Sequence, residues 1–88
     1  MDREIERTKA SLACAQARHA YIAEQNLQKA RDYYEKALRL FRGLNDATMV
    51  AETLCMLSEV RRELGQDLAA IRNLEEALDI YHVAQKEM

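Results

Sequence analysis

The sequence predicts an all-α domain of four helices, made of two copies of one helical hairpin, and three observations support this. The chain of 88 residues has no proline and only two glycines. Its apolar residues recur at offsets of three and four, the spacing of one face of a helix. The segment ARDYYEKALRLF, which begins at Ala30, returns forty residues later as AIRNLEEALDIY, which begins at Ala70. Such an internal repeat is typical of proteins that stack one structural unit on the next.

Six positions define the repeated helical face. They are Ala30, Tyr34, Glu35, Ala37, Leu38 and Phe41 in the first copy and Ala70, Leu74, Glu75, Ala77, Leu78 and Tyr81 in the second. Four of the six are identical, and the other two exchange one bulky apolar side chain for another. Small alanines beside large side chains predict close packing of each helix against its neighbours.

The first hairpin is predicted to cover residues 2 to 43. Its first helix begins after Asp2, which can cap it, and ends near Glu24; Asn26 is the predicted cap of the second helix, which reaches Phe41. No glycine or proline separates the two helices, so one long helix of about forty residues is an alternative. The predicted inward-facing residues of the first helix are Ile5, Leu12, Ala13, Ala17, Ala20 and Tyr21.

The third helix is predicted from about Ala47 to Leu64. Gly43 can adopt the left-handed conformation that ends the preceding helix, and either Asn45 or Asp46 can cap the new one. Five apolar residues at helical spacing are predicted to face inward: Val50, Leu54, Leu57, Val60 and Leu64.

The fourth helix completes a second hairpin over residues 46 to 84. Gly65 is predicted to end the third helix, Asp67 to cap the fourth, and the last helix to fray after Val83. Its predicted inward stripe contains Leu68, Ile71, Leu74, Ala77, Leu78 and Tyr81. Together the two hairpins form one predicted domain over residues 1–88.

Charge and composition exclude several classes of partner. The 13 basic and 15 acidic residues are mixed along the chain and give a net charge of −2, without the basic stripe of a nucleic-acid-binding protein. No apolar run approaches the ~20 residues that span a bilayer. The charged segment MDREIERTK precedes no apolar signal core. We therefore expect a cytoplasmic protein with neither nucleic acid nor a membrane as its partner.

The sequence predicts neither an enzyme nor a cofactor site. Ser11 and Ser58 have no evident histidine partner, and no glycine-rich loop could hold a phosphate. His19 has no second ligand at metal spacing on its helix. Cys14 and Cys55 form no CxxC pair and are expected to pack as small buried hydrophobes.

This duplicated pattern resembles the tetratricopeptide repeat. The match is best in the second hairpin, at Ala51, Leu54, Leu57, Gly65, Ala70, Leu74, Ala77 and Leu78. The forty-residue spacing is similar to the longer variety of the repeat, and the two units cover nearly the whole chain. The first unit departs from the family pattern at Arg18, which stands for a glycine, and at Gln25, which stands for the turn glycine. In the second unit Arg61 replaces an aromatic residue.

The resemblance implies a fragment of an α-α superhelix that binds a peptide or a partner helix on the concave face formed by its first and third helices. Carried over by position, the groove-facing residues are Gln16, His19, Cys55, Glu59, Arg62 and Glu63. Members of the family that grip a C-terminal carboxylate use basic residues and asparagine at such positions. Because two glutamates stand here, the resemblance implies a basic or mixed segment as ligand, with Arg62 able to bind one carboxylate.

Self-association is the alternative reading. Repeat units bury their faces on neighbours, and about three are usually needed for stability. Two units with an apolar last helix, which also carries Ile80 and Val83, predict either a fragment of a longer array or a core that a second copy completes, as a homodimer. If a second copy completes the core, the chain can be a structural oligomerisation domain with no separate ligand.

Overall fold

The computed structural model describes residues 2–87 and contains four α-helices in that range. Helix α1 spans Arg3–Ile22, α2 spans Leu27–Gly43, α3 spans Ala47–Glu63 and α4 spans Asp67–Lys86. The described part of the chain contains no strand. The predicted all-α fold of four helices is confirmed.

Three predicted caps start three of the helices. The side chains of Asp2, Asn26 and Asp46 accept hydrogen bonds from the backbone N–H groups of Glu4, Lys29 and Met49 at 2.9, 3.0 and 3.1 Å. Each bond satisfies one of the N–H groups that a helix start leaves without an intrahelical partner. Of the two candidate caps for α3, Asp46 rather than Asn45 is the one that acts.

The first hairpin has a real break, so the alternative of one long helix is wrong. Gln25 adopts a left-handed φ of 52°, and the backbone N–H of Asn26 donates to the carbonyl of Ala20 at 2.9 Å. The turn closes without a glycine because Asn26 caps the next helix, which offsets the cost of a non-glycine residue at positive φ.

The turn between α2 and α3 differs from its prediction. Gly43 is the last residue of α2, and the left-handed conformation falls instead on Asn45, with a φ of 55°. Asparagine tolerates this region better than most residues because its short polar side chain can bond locally. The equivalent prediction for Gly65 is correct, since its φ is 81°.

Helix α4 starts and ends differently from its prediction. Gln66 is the N-cap and makes no side-chain capping bond, while Asp67 is the first helical residue. At this position the carboxylate of Asp67 still interacts favourably with the positive end of the helix dipole. The helix continues past Val83 to Lys86. The positive charge of Lys86 in the last turn interacts favourably with the negative end of the helix dipole.

Small and large side chains interlock in the core. Helix α1 contributes only small buried residues, namely Ala10, Ala13, Cys14, Ala17 and Ala20. Against them lie the large buried side chains Tyr34, Leu38 and Phe41 of α2 and Leu54, Leu57 and Val60 of α3. The small residues let α2 approach α1 closely, so that the large ones fill the space between the helices.

Two of the predicted inward stripes are wrong in part. On α1, Ile5 and Leu12 are more than half exposed. On α4 only Ala77 of the predicted stripe is buried, and Leu68, Ile71, Leu74, Leu78 and Tyr81 are exposed. The physical reason is shared: α1 and α4 are the end helices, and each has a neighbour on one side only.

The helices pack in chain order, α1 on α2, α2 on α3 and α3 on α4. Side chains add links between alternate helices: Arg7 pairs with Asp46 at 2.5 Å and Arg42 with Glu76 at 2.6 Å. The Cα envelope of 37 × 31 × 16 Å is two helices thick. Among the four helices of residues 2–87, none combines the length and apolar content that crossing a membrane requires.

Candidate protein-interaction site

A groove of about 480 Å³ runs between α1 and α3. Helix α1 contributes Ser11, Cys14 and Arg18, and α3 contributes Met49, Glu52, Cys55 and Met56, with Phe41 and Tyr81 completing the lining. We call this the α1–α3 groove. Its exposed charges, Arg18 and Glu52, have opposite signs, and its two methionines offer adaptable apolar contact.

A second groove, of about 560 Å³, lies between α3 and α4. Ala70, Ile71 and Leu74 supply apolar surface, and Glu59, Arg62 and Asp67 supply charge, with Cys55 and Ser58 between them. We call this the α3–α4 groove. Cys55 lines both grooves and therefore marks the ridge between them.

Three of the six residues predicted from the resemblance lie together. Cys55, Glu59 and Arg62 follow one another at offsets of four and three on α3, which puts them on one helix face in the α3–α4 groove. Gln16 and His19 lie elsewhere, in a third open cavity of about 400 Å³ with Lys29 of α2. The structure therefore does not gather all six residues into one groove.

Glu63, the sixth residue, binds within the chain. Its carboxylate accepts a hydrogen bond from the Tyr21 hydroxyl, which joins α1 to α3. This hydrogen bond, made by the protonated hydroxyl, raises the pKa of Tyr21. Glu63 thus links the two helices that form the α1–α3 groove.

Glu59 and Arg62 are exposed, and within residues 2–87 neither forms an ion pair or a side-chain hydrogen bond. The neighbouring Arg61 behaves differently. Its guanidinium binds the carboxylate of Glu35 on α2 and the amide oxygen of Asn73 on α4, the latter at 2.8 Å. Arg61 therefore joins three helices at a position where the tetratricopeptide pattern has an aromatic residue.

Both grooves contain residues that the position-by-position transfer missed. In the α1–α3 groove these are Arg18, Glu52 and Met56, and in the α3–α4 groove they are Asp67, Ile71 and Leu74. The sequence did contain a signal for Arg18. An arginine stands there where the tetratricopeptide pattern has a glycine, so a charged side chain lies where two helices are expected to pack closely. Arg18 lies beside Tyr34, whose pKa is raised by burial and partly lowered again by this arginine.

The two cysteines have different surroundings. Cys14 is buried, and burial raises the pKa of its thiol. The thiol therefore stays protonated and unreactive. Cys55 is only partly buried, so the expectation of a fully buried packing residue fails there. No cluster of three or more histidine, cysteine or acidic residues suited to a metal ion is found within residues 2–87.

The comparison with family models agrees with this architecture. The model of the tetratricopeptide repeat matches residues 9–81, which include all of α2 and α3 and most of α1 and α4. No curated protein and no solved structure matches the chain significantly. Because the family model covers most of the sequence, this chain is a member of the tetratricopeptide repeat family.

Proposed function

We propose that this domain is a non-catalytic interaction module that binds a peptide or a helix of another protein along α1 and α3. Repeats of this family generally mediate protein–protein interaction. The observation that supports this site is the pair of adjoining open grooves, which meet at Cys55 and carry Glu59 and Arg62 without ion-pair partners within residues 2–87.

The charges of the grooves favour a basic or mixed ligand over an acidic tail. Three carboxylates line the grooves, from Glu52, Glu59 and Asp67, against the two guanidinium groups of Arg18 and Arg62. A basic side chain of the ligand gains a charge-assisted hydrogen bond there, and Arg62 can donate hydrogen bonds to one carboxylate of a mixed segment. The apolar floor of the α3–α4 groove takes an aliphatic or aromatic anchor of the same ligand.

The proposal is tested with peptides selected from a random displayed library on the wild-type domain. The affinity of the selected peptides is then measured for a double variant, Glu59→Lys with Arg62→Glu, which keeps the net charge. We expect at least a tenfold loss, because reversing both charges removes attraction and adds repulsion worth about 1.4 kcal/mol or more. The matched control is Asp32→Lys with Lys36→Glu on the exposed face of α2.

The control should bind as the wild type does. Equal affinity of the wild type and the Glu59/Arg62 variant would show that the assignment of the site to α3 is wrong. Selection of mainly acidic peptides would contradict the proposed ligand chemistry while leaving the location of the site intact.

Self-association, to a dimer or beyond, is the second candidate function. It is favoured by the apolar side chains that α4 exposes, among them Ile71, Leu74 and Leu78, each about half accessible. A contiguous apolar surface on a small domain is typical of an interface. The mass in solution, measured by light scattering at several concentrations, tests this candidate.

A further inference from the structure

The helical face that the chain repeats is buried in its first copy and open in its second. On α2 three of its large side chains are 4%, 9% and 1% exposed, namely those of Tyr34, Leu38 and Phe41. Forty residues later, on α4, the equivalent side chains are 48%, 54% and 43% exposed, namely those of Leu74, Leu78 and Tyr81. Ile71 lies about one turn before Leu74, and together the four residues form one stripe, which we call the α4 apolar face.

The glutamate of the repeat shows the same contrast. In the first copy the carboxylate of Glu35 binds the guanidinium of Arg61, which belongs to α3. Its equivalent in the second copy, Glu75, is exposed, and within residues 2–87 it forms neither an ion pair nor a side-chain hydrogen bond. The first copy thus has both an apolar cover and a cation, and the second copy has neither in the described part of the chain.

Helix α3 carries the side chains that pack against the first copy. Val50, Leu54, Leu57 and Arg61 follow one another at offsets of four, three and four residues, so they lie on one face of α3. Because Arg61 reaches Glu35, this face is directed towards α2, and its three apolar residues belong to the core. The complement of the repeated face is therefore an apolar stripe with a cation one turn beyond it.

Helix α1 of a second copy does not offer this complement. In the forty-residue register, its residues at the same four positions are Ala10, Cys14, Ala17 and Tyr21. The first three are buried, and the hydroxyl of Tyr21 donates a hydrogen bond to Glu63 within the chain. In this register α1 therefore has neither an open apolar stripe nor a cation for α4.

The other helices of a second copy match the face no better. Helices α2 and α3 bury their apolar stripes, and Arg61 is already bound within the chain. A second α4 would bring its own Glu75 instead of a cation, and its arginine, Arg72, lies about 100° round the helix from Ile71. Charge therefore favours a helix of another protein as the cover of α4.

We propose that the α4 apolar face binds an amphipathic helix of another protein, which carries apolar residues at the spacing of the α3 stripe and an arginine or lysine that pairs with Glu75. This is a second interaction surface, beyond the ligand proposed for α1 and α3. The surface shares Ile71 and Leu74 with the wall of the α3–α4 groove, but Glu75 and Leu78 line neither groove. Variants at Glu75 and Leu78 therefore separate the two surfaces.

The probe is a fluorescently labelled synthetic peptide with the sequence of residues 46–64 and the change Cys55→Ser, because α3 is the helix that packs on the first copy. Its binding to the full chain is measured by fluorescence anisotropy. We expect saturable binding to the wild type and at least tenfold weaker binding to Leu78→Lys, because this change puts a charge into the apolar contact. The control is Val83→Lys, a similarly exposed position about 140° round α4 from Leu78, which should bind as the wild type does. Circular dichroism checks that both variants are folded.

A charge exchange tests the predicted ion pair. Glu75→Arg should weaken binding of the same peptide by about fivefold, because repulsion between two guanidinium groups replaces an exposed ion pair. A second peptide with Arg61→Glu should recover the lost affinity for this variant. Asp32→Arg makes the same change of charge at an exposed position of α2 and should leave both affinities unchanged.

Four results would overturn the proposal. The first is a wild-type chain that does not bind the peptide, which leaves the proposed site on α1 and α3 untouched. The second is binding that survives Leu78→Lys and is lost in the double variant at Glu59 and Arg62, because the peptide then lies in the site on α3. The third is a wild type that has twice the mass of 10.2 kDa in light scattering, becomes monomeric in Leu78→Lys and excludes the peptide, because a second copy then covers the face. The fourth is equal affinity of the wild type and Glu75→Arg, which refutes the assigned cation.

Discussion

Leu38 and Leu78 occupy the same position of the repeat, and truncating each to alanine should cost very different amounts of stability. Leu38 is 9% exposed and Leu78 is 54% exposed. Removing a buried leucine side chain costs about 2–5 kcal/mol, as lost transfer free energy and a cavity. At Leu78 less than half of the surface is withdrawn from water and no closed cavity forms, so the expected cost is about 1 kcal/mol. Both sites are helical, so helix propensity adds little to either substitution.

The free energy of unfolding is measured by urea titration followed by circular dichroism, at a protein concentration where the chain is monomeric. The two variants should differ by about 2 kcal/mol, or by about 8–16 °C in melting temperature for a domain of this size. Equal losses in the monomer would refute the argument that α3 covers one copy of the face and leaves the other open. If copies of the chain bind through α4, the cost of Leu78→Ala should rise with protein concentration. The stability of Leu38→Ala should rise in parallel with that of the wild type, so the cost of Leu38→Ala should stay constant.

The remaining predictions concern turns, charge and one polar network. Gly65→Ala should destabilise the fold by about 1–2 kcal/mol, because φ is 81° at Gly65. Gly43→Ala should stabilise the fold by up to about 1 kcal/mol, because Gly43 is helical and has open space around its Cβ site. A stability change of the same sign for both variants would contradict the assigned turn conformations. The hydrogen bond from Arg7 and that from a backbone N–H lower the pKa of Asp46, so the stability that its charge contributes is present above the ordinary value of 3.8 and is lost as the pH falls below it. Asp46→Asn should keep the cap but flatten this acid loss in urea titrations, and an unchanged pH profile would refute the role of the charge. Arg61→Ala should cost about 1–3 kcal/mol through its two polar partners and its packed stem, with Arg61→Met recovering part of the loss; wild-type stability in Arg61→Ala would show that the three-helix link contributes nothing.

Local signals predicted the helices well. The caps at Asp2, Asn26 and Asp46 could be anticipated because a short polar side chain before an apolar periodic segment satisfies the first N–H groups of a helix. The duplication predicted the two hairpins because it repeats both the period and the residue sizes. These signals depend only on residues within one or two turns of each other.

The turns were less predictable because several residues compete for the same role. Either Gly43 or Asn45 could take the left-handed conformation, and the choice depends on where α3 must start to pack on α2. At the next turn Gly65 has no such competitor, and its prediction is correct. Burial on α4 was also unpredictable from Leu74 or Leu78 themselves, because their sequence pattern matches that of the covered copy.

The candidate site shows the same division. Cys55, Glu59 and Arg62 share a groove because their spacing on a single helix already puts them on one face. Gln16 and His19 lie apart from them because their place depends on how α1 is rotated against α3, which spacing along either helix does not encode. The hydrogen bond between Tyr21 and Glu63, which links these two helices, joins residues 42 positions apart and has no local signature.

The duplication leaves at the end of the stack an apolar face that is core in the first copy. One helical face occurs twice in the chain, and its first copy belongs to the hydrophobic core because α3 packs on it. The chain offers no further helix within residues 2–87 to cover the second copy, so the same side chains become accessible there. Burying that face against a helix of another molecule gains the transfer free energy that α3 supplies in the first copy, at about 25 cal/mol for each Å² of apolar surface. The proposed association at α4 would use residues whose packing geometry the first copy already displays, and the Leu38 and Leu78 variants measure how much of that free energy remains available to a partner.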